Sequence, residues 1–374
     1  MGNKVCYDDL MKLTESILSK GYGYSHEESE VTARVLVEAD ARNIPSHGVS
    51  RLAFYRMNKD RGFSKPGAKP EIVWETPCSL VVDGHDGVGC YVSEFCVKKI
   101  IEKASQAGTG FCAARNSNHF GIAGYWAETI ARHDMIGMAF TNTRTCGIPT
   151  YGRQRMLGTN PIAVGIPEEN TRNSVFLLDM ATTTVAHGKI EVYDRRKKPM
   201  PLGWAVDENG IGTADATGFE KMFLSNPTYG GHLFLGGGGE ENGGHKGYGL
   251  GLLVELLCSG LSLGMSTVET FREGQGSGIT HFFGAIRLDL FGDPKELKRR
   301  VSKILDDIRK SEKAVDQERI YIHGEKESEA REKALKEGIF IDDATRDFLG
   351  SLSEELKLEP IRFLPTEEEV TSLS

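Results

Sequence analysis

Arg115-Asn116-Ser117-Asn118-His119-Phe120-Gly121 places a histidine among small polar residues, between two apolar segments of different period. Upstream, Gly110 to Ala114 is a short apolar run that reads as a strand. Downstream, Ile122, Trp126 and Ile130 fall four apart within 122–134, which predicts an amphipathic helix, and Met135 to Phe140 predicts the next strand. Asn116, Ser117 and Asn118 each offer an oxygen to an unpaired first-turn N–H, so they are expected to cap that helix. Open α/β sheets place ligands at strand-to-helix turns of this kind. His119 is therefore a candidate for chemistry, with a histidine that merely packs at the turn as the plainer reading.

Toward the N-terminus, residues 1–70 read as a helical part. Ser25 and Glu28 match a capping box ahead of Val31, Val35, Leu36 and Ala39, and the pattern stops near Asn43, before Pro45. Ser46-His47-Gly48-Val49-Ser50-Arg51 follows, with Ser46 placed to cap a helix carrying Val49, Leu52, Ala53 and Arg56. That helix would set His47 and Arg51 four apart on one face. An imidazole that can protonate a carbonyl, beside a guanidinium that can grip a carboxylate, is what reduction of a 2-oxo acid needs. A surface histidine and a solvated arginine would show the same spacing. Lys65 to Pro70 is rich in Pro, Gly and Lys and marks a boundary. Beyond it, Gly87-Val88-Gly89 imitates a dinucleotide fingerprint, but Val92 stands where the third glycine belongs, so a Rossmann loop is not expected.

Residues 71–290 carry further strand-like runs at Glu71–Trp74, Ser79–Val82, Ile162–Ile166, Val175–Met180 and Phe282–Leu290. A polar turn at Glu168-Glu169-Asn170 joins the third and fourth. Asp179 to Thr184 is small and hydroxyl-rich, which lets a ligand approach the backbone, and Val185–Val192 predicts a helix. Gly203 to Pro227 has the composition of a loop. Eight glycines then fall between Gly236 and Gly249. Gly243-Gly244-His245-Lys246-Gly247-Tyr248 leads into an apolar run, Leu250–Leu263, read as a buried helix. Glycines and a lysine ahead of a helix start suit a phosphate; a flexible connector is the alternative. Residues 291–374 are expected to be helical, at Pro294–Lys310, Glu325–Glu337 and again from Asp342.

The 374 residues allow two or three domains, or one with a long insertion. The net charge of −8 is built from intermixed signs, and the dense basic run Arg195-Arg196-Lys197-Lys198 reads as a solvated loop, so no nucleic-acid partner is expected. No apolar run has the length a membrane helix needs. Seven cysteines without a Cys-x-x-Cys pair, together with an N-terminus lacking an apolar signal core, read as reduced thiols of a cytoplasmic protein. Ten histidines show no metal-ligand spacing. The run Gly274-Gln275-Gly276-Ser277-Gly278 has its residues in the wrong order for a hydrolase nucleophile elbow.

Ser46–Arg51, Asn116–Gly121, Gly158-Thr159-Asn160-Pro161, Asp179-Met180-Ala181-Thr182, Gly244–Leu250 and His281-Phe282-Phe283, taken in this order, resemble the malate/L-sulfolactate/L-lactate dehydrogenase family over nearly the whole chain. The resemblance implies an NAD- or NADP-dependent oxidoreductase acting on a small 2-oxo/2-hydroxy acid. It also implies a three-layer α/β/α cofactor domain with a non-Rossmann mixed sheet, a helical domain built from both chain ends, and a homodimer with active sites near the interface. Carried over by motif, His47 would exchange the proton, Arg51 would anchor the carboxylate, Ser46 would orient His47, and His119 would be the second active-site histidine. The cofactor would contact Asn142, Thr143, Asp179, Met180, Ala181, Thr182 and Lys246, with Gly324, Glu325 and Lys326 closing over it. The chain departs from the family at His323-Gly324-Glu325, where Pro-Gly-Glu is usual, and in a shortened segment after Ile190. Malate/oxaloacetate is the first expectation, because Arg144, Arg153 and Arg155 offer a cation for a second carboxylate. Lactate, sulfolactate, ureidoglycolate and cyclic imines are the alternatives within the family. A non-catalytic nucleotide-binding module is the alternative outside it.

Overall fold

The computed structural model describes residues 3–169 and 174–364. Part of the turn expected around Asn170, and the extreme ends of the two helical parts, lie outside the described residues. The helices are α1 (Tyr7–Ser16), α2 (His26–Ala41), α3 (Leu52–Asp60), α4 (Gly89–Ala107), α5 (Ala123–Ala131), α6 (His187–Arg195), α7 (Ala216–Ser225), α8 (Gly244–Glu255), α9 (Pro294–Arg309), α10 (Glu325–Glu337) and α11 (Asp343–Glu355). Seven strands form the central sheet: β1 (Glu71–Glu75), β2 (Ser79–Asp83), β3 (Thr109–Ser117), β4 (Met135–Thr141), β5 (Ile162–Pro167), β6 (Val175–Met180) and β7 (Ile279–Arg287).

Their spatial order is β1-β2-β3-β7-β4-β5-β6. Only the β2–β3 pair is parallel; β7 inserts antiparallel between β3 and β4. The sheet is therefore mixed and not of Rossmann type. Following the pairings across, β2, β3, β4 and β6 all run one way, so Asp83, Ser117, Thr141 and Met180 end at the same edge. The turns that carry His119, Asn142 and Ala181 leave the sheet there.

Three layers follow from the side-chain pattern. Val92, Cys96 and Ile100 of α4, with Trp126, Ala127 and Ile130 of α5, pack on Leu80, Cys112, Ala139, Ala163 and Phe283 of the sheet. Gly137 is required in that interface, because a Cβ there would lie 2.2 Å from the Ala127 carbonyl oxygen of α5. The opposite face packs Phe140 and Phe282 against Val254 and Cys258 in and just after α8. The chain ends share a separate apolar cluster, in which Leu10, Ile17, Leu36 and Leu52 meet Ile339, Leu349 and Leu352. α9 stands apart from it, tied to Asp134 through Lys298 and to Glu168 through Arg309.

Two expectations need correction here. Gly203–Pro227 is not a loop: it contains Ala205–Val206, paired with Gly231–His232, and α7, which Asp215 caps through the Gly218 N–H. Trp204, Ala216 and Phe219 close a small core with Val185 and Ile190, an apolar content that the surrounding turn residues mask in the composition. The apolar run after Lys246 is not a buried helix either. α8 already begins at Gly244, and while Val254 and Cys258 face the sheet, Leu250, Leu253, Leu256 and Leu261 are exposed.

Candidate active site

The polar triplet of the opening stretch does not cap α5, which starts at Ala123 with no cap from its own N-cap residue. Each side chain instead ties neighbouring strands or loops. The Asn116 amide donates to the Asp83 carboxylate, and the Asn118 amide to the carbonyls of Phe63, Asp86 and Gly87. The Ser117 hydroxyl lies 2.8 Å from Nε2 of the buried His281, whose Nδ1 lies 2.8 Å from Thr141 Oγ1. One imidazole thus fastens the ends of β3 and β4 together across β7. It also stacks on Phe120 at 4.5 Å, which fixes the backbone on either side of His119.

His119 Nδ1 receives the Tyr55 hydroxyl at 2.9 Å and the Gly121 N–H at 3.3 Å. With Nδ1 accepting, the ring is the Nε2–H tautomer, a hydrogen-bond donor at its free nitrogen. Burial, then the neighbouring His47 and Arg51, hold its pKa well below the ordinary histidine value. The His47 ring stacks against it with centroids 5.5 Å apart. Burial first and Arg51 second push His47 down to about 4, so both rings are neutral near pH 7 in the ligand-free site.

Ser46, His47 and Arg51 come together by a route the sequence did not suggest. Instead of one helix there are two 3₁₀ turns, Pro45–His47 and Val49–Arg51, before α3 begins at Leu52, and Ser46 caps nothing. The cause is the buried Asp40: its carboxylate takes the Val49 N–H at 2.8 Å and fills the space beside Gly48, where a Cβ would lie 1.8 Å from Oδ1. Ser46 Oγ sits 2.9 Å from His47 Nδ1, and the Arg51 Nε–H donates to the Ser46 carbonyl. Tyr55, four residues after Arg51 in the same segment, was not singled out from the sequence. Its spacing was the available signal.

Beside this group lies a cavity of about 260 Å³ lined by Arg42, Ile122, Gly124, Asp179, Gly324 and Lys326, among others. Two helices begin at it. Asp179 accepts the Gly124 N–H of α5 at 2.8 Å; its side chain is exposed at the cavity, and the desolvation it meets there raises the carboxyl to about 6. α10 starts from Gly324, at φ +92°, with no side-chain cap. Lys326 reaches back over the Tyr321 ring at 4.5 Å.

Other expected cofactor residues are placed differently. The buried Asn142 side chain is fully occupied, donating to Ser259 and Met265 and accepting the Thr280 N–H. The buried Thr182 hydroxyl donates to the carbonyls of Thr159 and Asn160, and Thr143 Oγ1 accepts the Thr159 N–H. Met180 and Ala181, at the end of β6, are half-buried next to Asp179. The Glu325 carboxylate is used by Arg309, Arg319 and the Ile322 N–H, so it ties α10 to the segment before it and does not face the cavity. Lys246 lines a separate, open hollow of about 470 Å³. The glycine-rich segment does not present free N–H groups ahead of a helix there: the His245 and Lys246 N–H groups already bond the Gly239 and Gly243 carbonyls. Gly260-Leu261-Ser262-Leu263-Gly264 has the order of a nucleophile elbow, yet Ser262 is buried and its hydroxyl donates to the Cys258 carbonyl, so no nucleophile is presented. Among the described residues, no three His, Cys, Asp or Glu side chains are grouped to hold a metal ion, and no helix is long and apolar enough to cross a membrane.

Comparison with known proteins follows the same outline. The sequence model of the family described as Malate/L-lactate dehydrogenase matches residues 5–349. The chain is 40% identical over 357 residues to a malate dehydrogenase of Pyrococcus horikoshii, covering 95% of this chain and 96% of that one. It is 36% identical to an L-sulfolactate dehydrogenase of Methanocaldococcus jannaschii, covering 93% and 95%. The crystal structure of malate dehydrogenase from Entamoeba histolytica superposes with a TM-score of 0.90 at 32% identity, covering 98% of this chain and all of that one.

Proposed function

The chain belongs to the malate/L-lactate dehydrogenase family, and from that premise we propose that it moves hydride between a nicotinamide cofactor, NAD or NADP, and C2 of a small 2-oxo/2-hydroxy acid, with malate/oxaloacetate as the leading pair. The observation that carries this reading is a pair of stacked neutral imidazoles, His119 from the sheet edge and His47 from the turns after α2, beside Arg51 and next to a cavity at which two helices begin. The α10 start, which no side chain caps, favours an anion such as a pyrophosphate, so the cavity suits a dinucleotide. Asp179, Gly324 and Lys326 would hold it, together with the backbone at Met180 and Ala181. When bound, the cofactor supplies or accepts the hydride.

The protein's own groups supply position, charge and a proton. Arg51 grips the C1 carboxylate and so fixes which face of C2 is presented. His119 offers its Nε2–H to the carbonyl oxygen. His47 delivers the proton as that oxygen becomes an alkoxide. Although His47 is neutral in the ligand-free site, an anionic substrate that engages Arg51 favours the imidazolium. Ser46, on His47 Nδ1, keeps the ring turned toward the substrate.

The exposed leucines of α8 and the segment after it, with Leu253 at 48% and Leu256 at 57% exposure, form an apolar face suited to a second copy of the chain, and we assign a homodimer on that basis. Seven unpaired cysteines, five of them buried, fit the reducing cytoplasm. The test is a panel of 2-oxo acids mixed with each reduced cofactor, followed by cofactor oxidation. Oxaloacetate should be turned over, and His47→Ala should lose about 10²–10⁴ in kcat. Cofactor binding without turnover of any acid would make the chain a binding module instead. Full activity in His47→Ala, with loss in His119→Ala, would exchange the roles of the two histidines.

A further inference from the structure

We infer that Arg144 is the second anion anchor of the substrate site, and that it selects 2-oxo acids carrying a further acidic group, carboxylate or sulfonate, on C3. The inference rests on the dehydrogenase reading and deepens it. Three arginines follow β4, and the fold sorts them. Arg155 is buried, with its fork spent on the carbonyls of Gly230, Phe223 and Tyr229 and its face on the Phe223 ring at 3.8 Å. Arg153 lies over the Tyr229 ring at 4.6 Å and reaches the Glu208 carbonyl, away toward the Asp207–Gly210 turn. Arg144 is exposed, and among the described residues only its backbone carbonyl is bonded, by the Thr143 hydroxyl, while its guanidinium has no hydrogen-bond or ion-pair partner.

Topology brings Arg144 to the sheet edge from which His119 emerges. His119 emerges two residues beyond Ser117 at the end of β3, and Arg144 three residues beyond Thr141 at the end of β4. These two strand ends point the same way and are joined by the single His281 ring. Electrostatics agrees: after burial, the Arg144 charge is what holds Arg51 below the ordinary arginine value, with Tyr55 and Glu191 of α6 acting the other way. Two guanidiniums that repel each other in the ligand-free site are both neutralised by a dianion, whereas a monocarboxylate satisfies Arg51 alone. The discrimination therefore lies in the charge left over with the wrong substrate.

The experiment compares kcat/KM for oxaloacetate, sulfopyruvate and pyruvate in the full-length protein and in Arg144→Met and Arg144→Lys. Because Arg144 has no partner in the fold, both variants should fold; unchanged thermal unfolding checks this. In Arg144→Met the oxaloacetate-to-pyruvate ratio should fall about 10–100-fold, the usual cost of a lost charge-assisted hydrogen bond, mostly through KM. Arg144→Lys should restore part of it. If sulfopyruvate falls alongside oxaloacetate, the anchor takes either anion; if only one falls, that acid is the substrate class it reads. A ratio that stays constant, or activities that all drop together, overturns the anchor while leaving the dehydrogenase reading standing. Wild-type protein that turns over none of the three acids overturns both.

Discussion

Replacing Tyr55 by Phe removes one oxygen from a buried ring and tests how His119 is set. The ring itself is held by packing, 5.6 Å from His119 and 6.2 Å from Phe54, so Phe keeps the shape of the site. What disappears is the 2.9 Å hydrogen bond into Nδ1, leaving the longer one from the Gly121 N–H. Since Nδ1 keeps one donor, the loss is that of a net hydrogen bond, about 1 kcal/mol, and not of an orphaned buried acceptor. That corresponds to a fall of roughly fivefold in kcat/KM if the His119 tautomer matters in the transition state. A donor into Nδ1 also favours the neutral ring, so its removal should move the His119 pKa upward and shift the acid limb of the kcat/KM profile to higher pH. Nitrogen-15 spectra of histidine-labelled protein read the tautomer directly, and steady-state rates across pH read its consequence. A variant with the wild-type tautomer, rate and pH profile would refute the assignment of Tyr55 as the group that sets His119.

Other outcomes follow from the same geometry. Gly324→Val should weaken cofactor binding in a fluorescence titration, because φ +92° costs an L-residue about 1–2 kcal/mol and a Cβ there would lie 3.0 Å from Leu177 Cβ. Binding equal to wild type would separate the α10 start from the cofactor. Acid should destabilise the protein. His232 and His281 are neutral in the fold with pKa values pushed down by burial to about 3, against an ordinary 6.5. Between those values the unfolded chain binds more protons, so their contribution is full above 6.5 and is lost as the pH falls toward 3. Asp40, raised by burial from 3.8 to about 7, Asp179, raised to about 6, and Glu168, raised above its ordinary value, oppose this over their own ranges, but His47, pushed down to about 4, and His119, held well below 6.5, act with His232 and His281, so four groups oppose three. Chemical denaturation at pH 7 and pH 4.5 should show the lower midpoint at pH 4.5; the reverse would mean that the histidines are solvated. Finally, Leu253→Asp combined with Leu256→Asp should convert a dimer to a monomer in analytical ultracentrifugation. A dimer that survives would place the interface elsewhere.

Local signals carried most of the elements. The capping box at Ser25 and Glu28 is formed as read, and α10 ends just before Gly338, where its charged pattern stops. The mixed sheet and the joining of His47, Arg51 and His119 were legible through the family motifs. Long-range partners were not. His281 works through Ser117 and Thr141, 164 and 140 residues away, and nothing in its neighbours announces that. Asp40 rewrites Pro45–Arg51 from a helix into two 3₁₀ turns by taking a backbone N–H nine residues on. Glu325 sits beside a cavity-lining glycine yet is spent on two arginines, because a largely buried carboxylate takes the guanidiniums within its reach before it serves a ligand. The α8 leucines read as core because an apolar stripe does not say whether its cover comes from the same chain.

The site also explains why both chain ends meet. α2 from the N-terminal part brings Glu38 and Arg42; α10 from the C-terminal part brings the cavity-lining Gly324 and Lys326. Arg331 of α10 grips Glu38 with two bonds of 2.7 and 2.8 Å, Arg42 bonds Glu38 and reaches Glu128 of α5 at 2.7 Å, and the Tyr7 hydroxyl completes Glu38. Glu38, Arg42 and Glu128 are buried, so removing any one of them leaves an unpaired charge away from water, which is far costlier than losing a surface ion pair. The network therefore sets the distance between the starts of α5 and α10, the two helix ends that bound the cavity. His47 and Arg51 follow directly from α2 in sequence, so the same clamp that bounds the cavity also holds the proposed proton donor and carboxylate anchor in register with it. A dehydrogenase needs that single registration, because hydride and proton must arrive on adjacent atoms of one substrate.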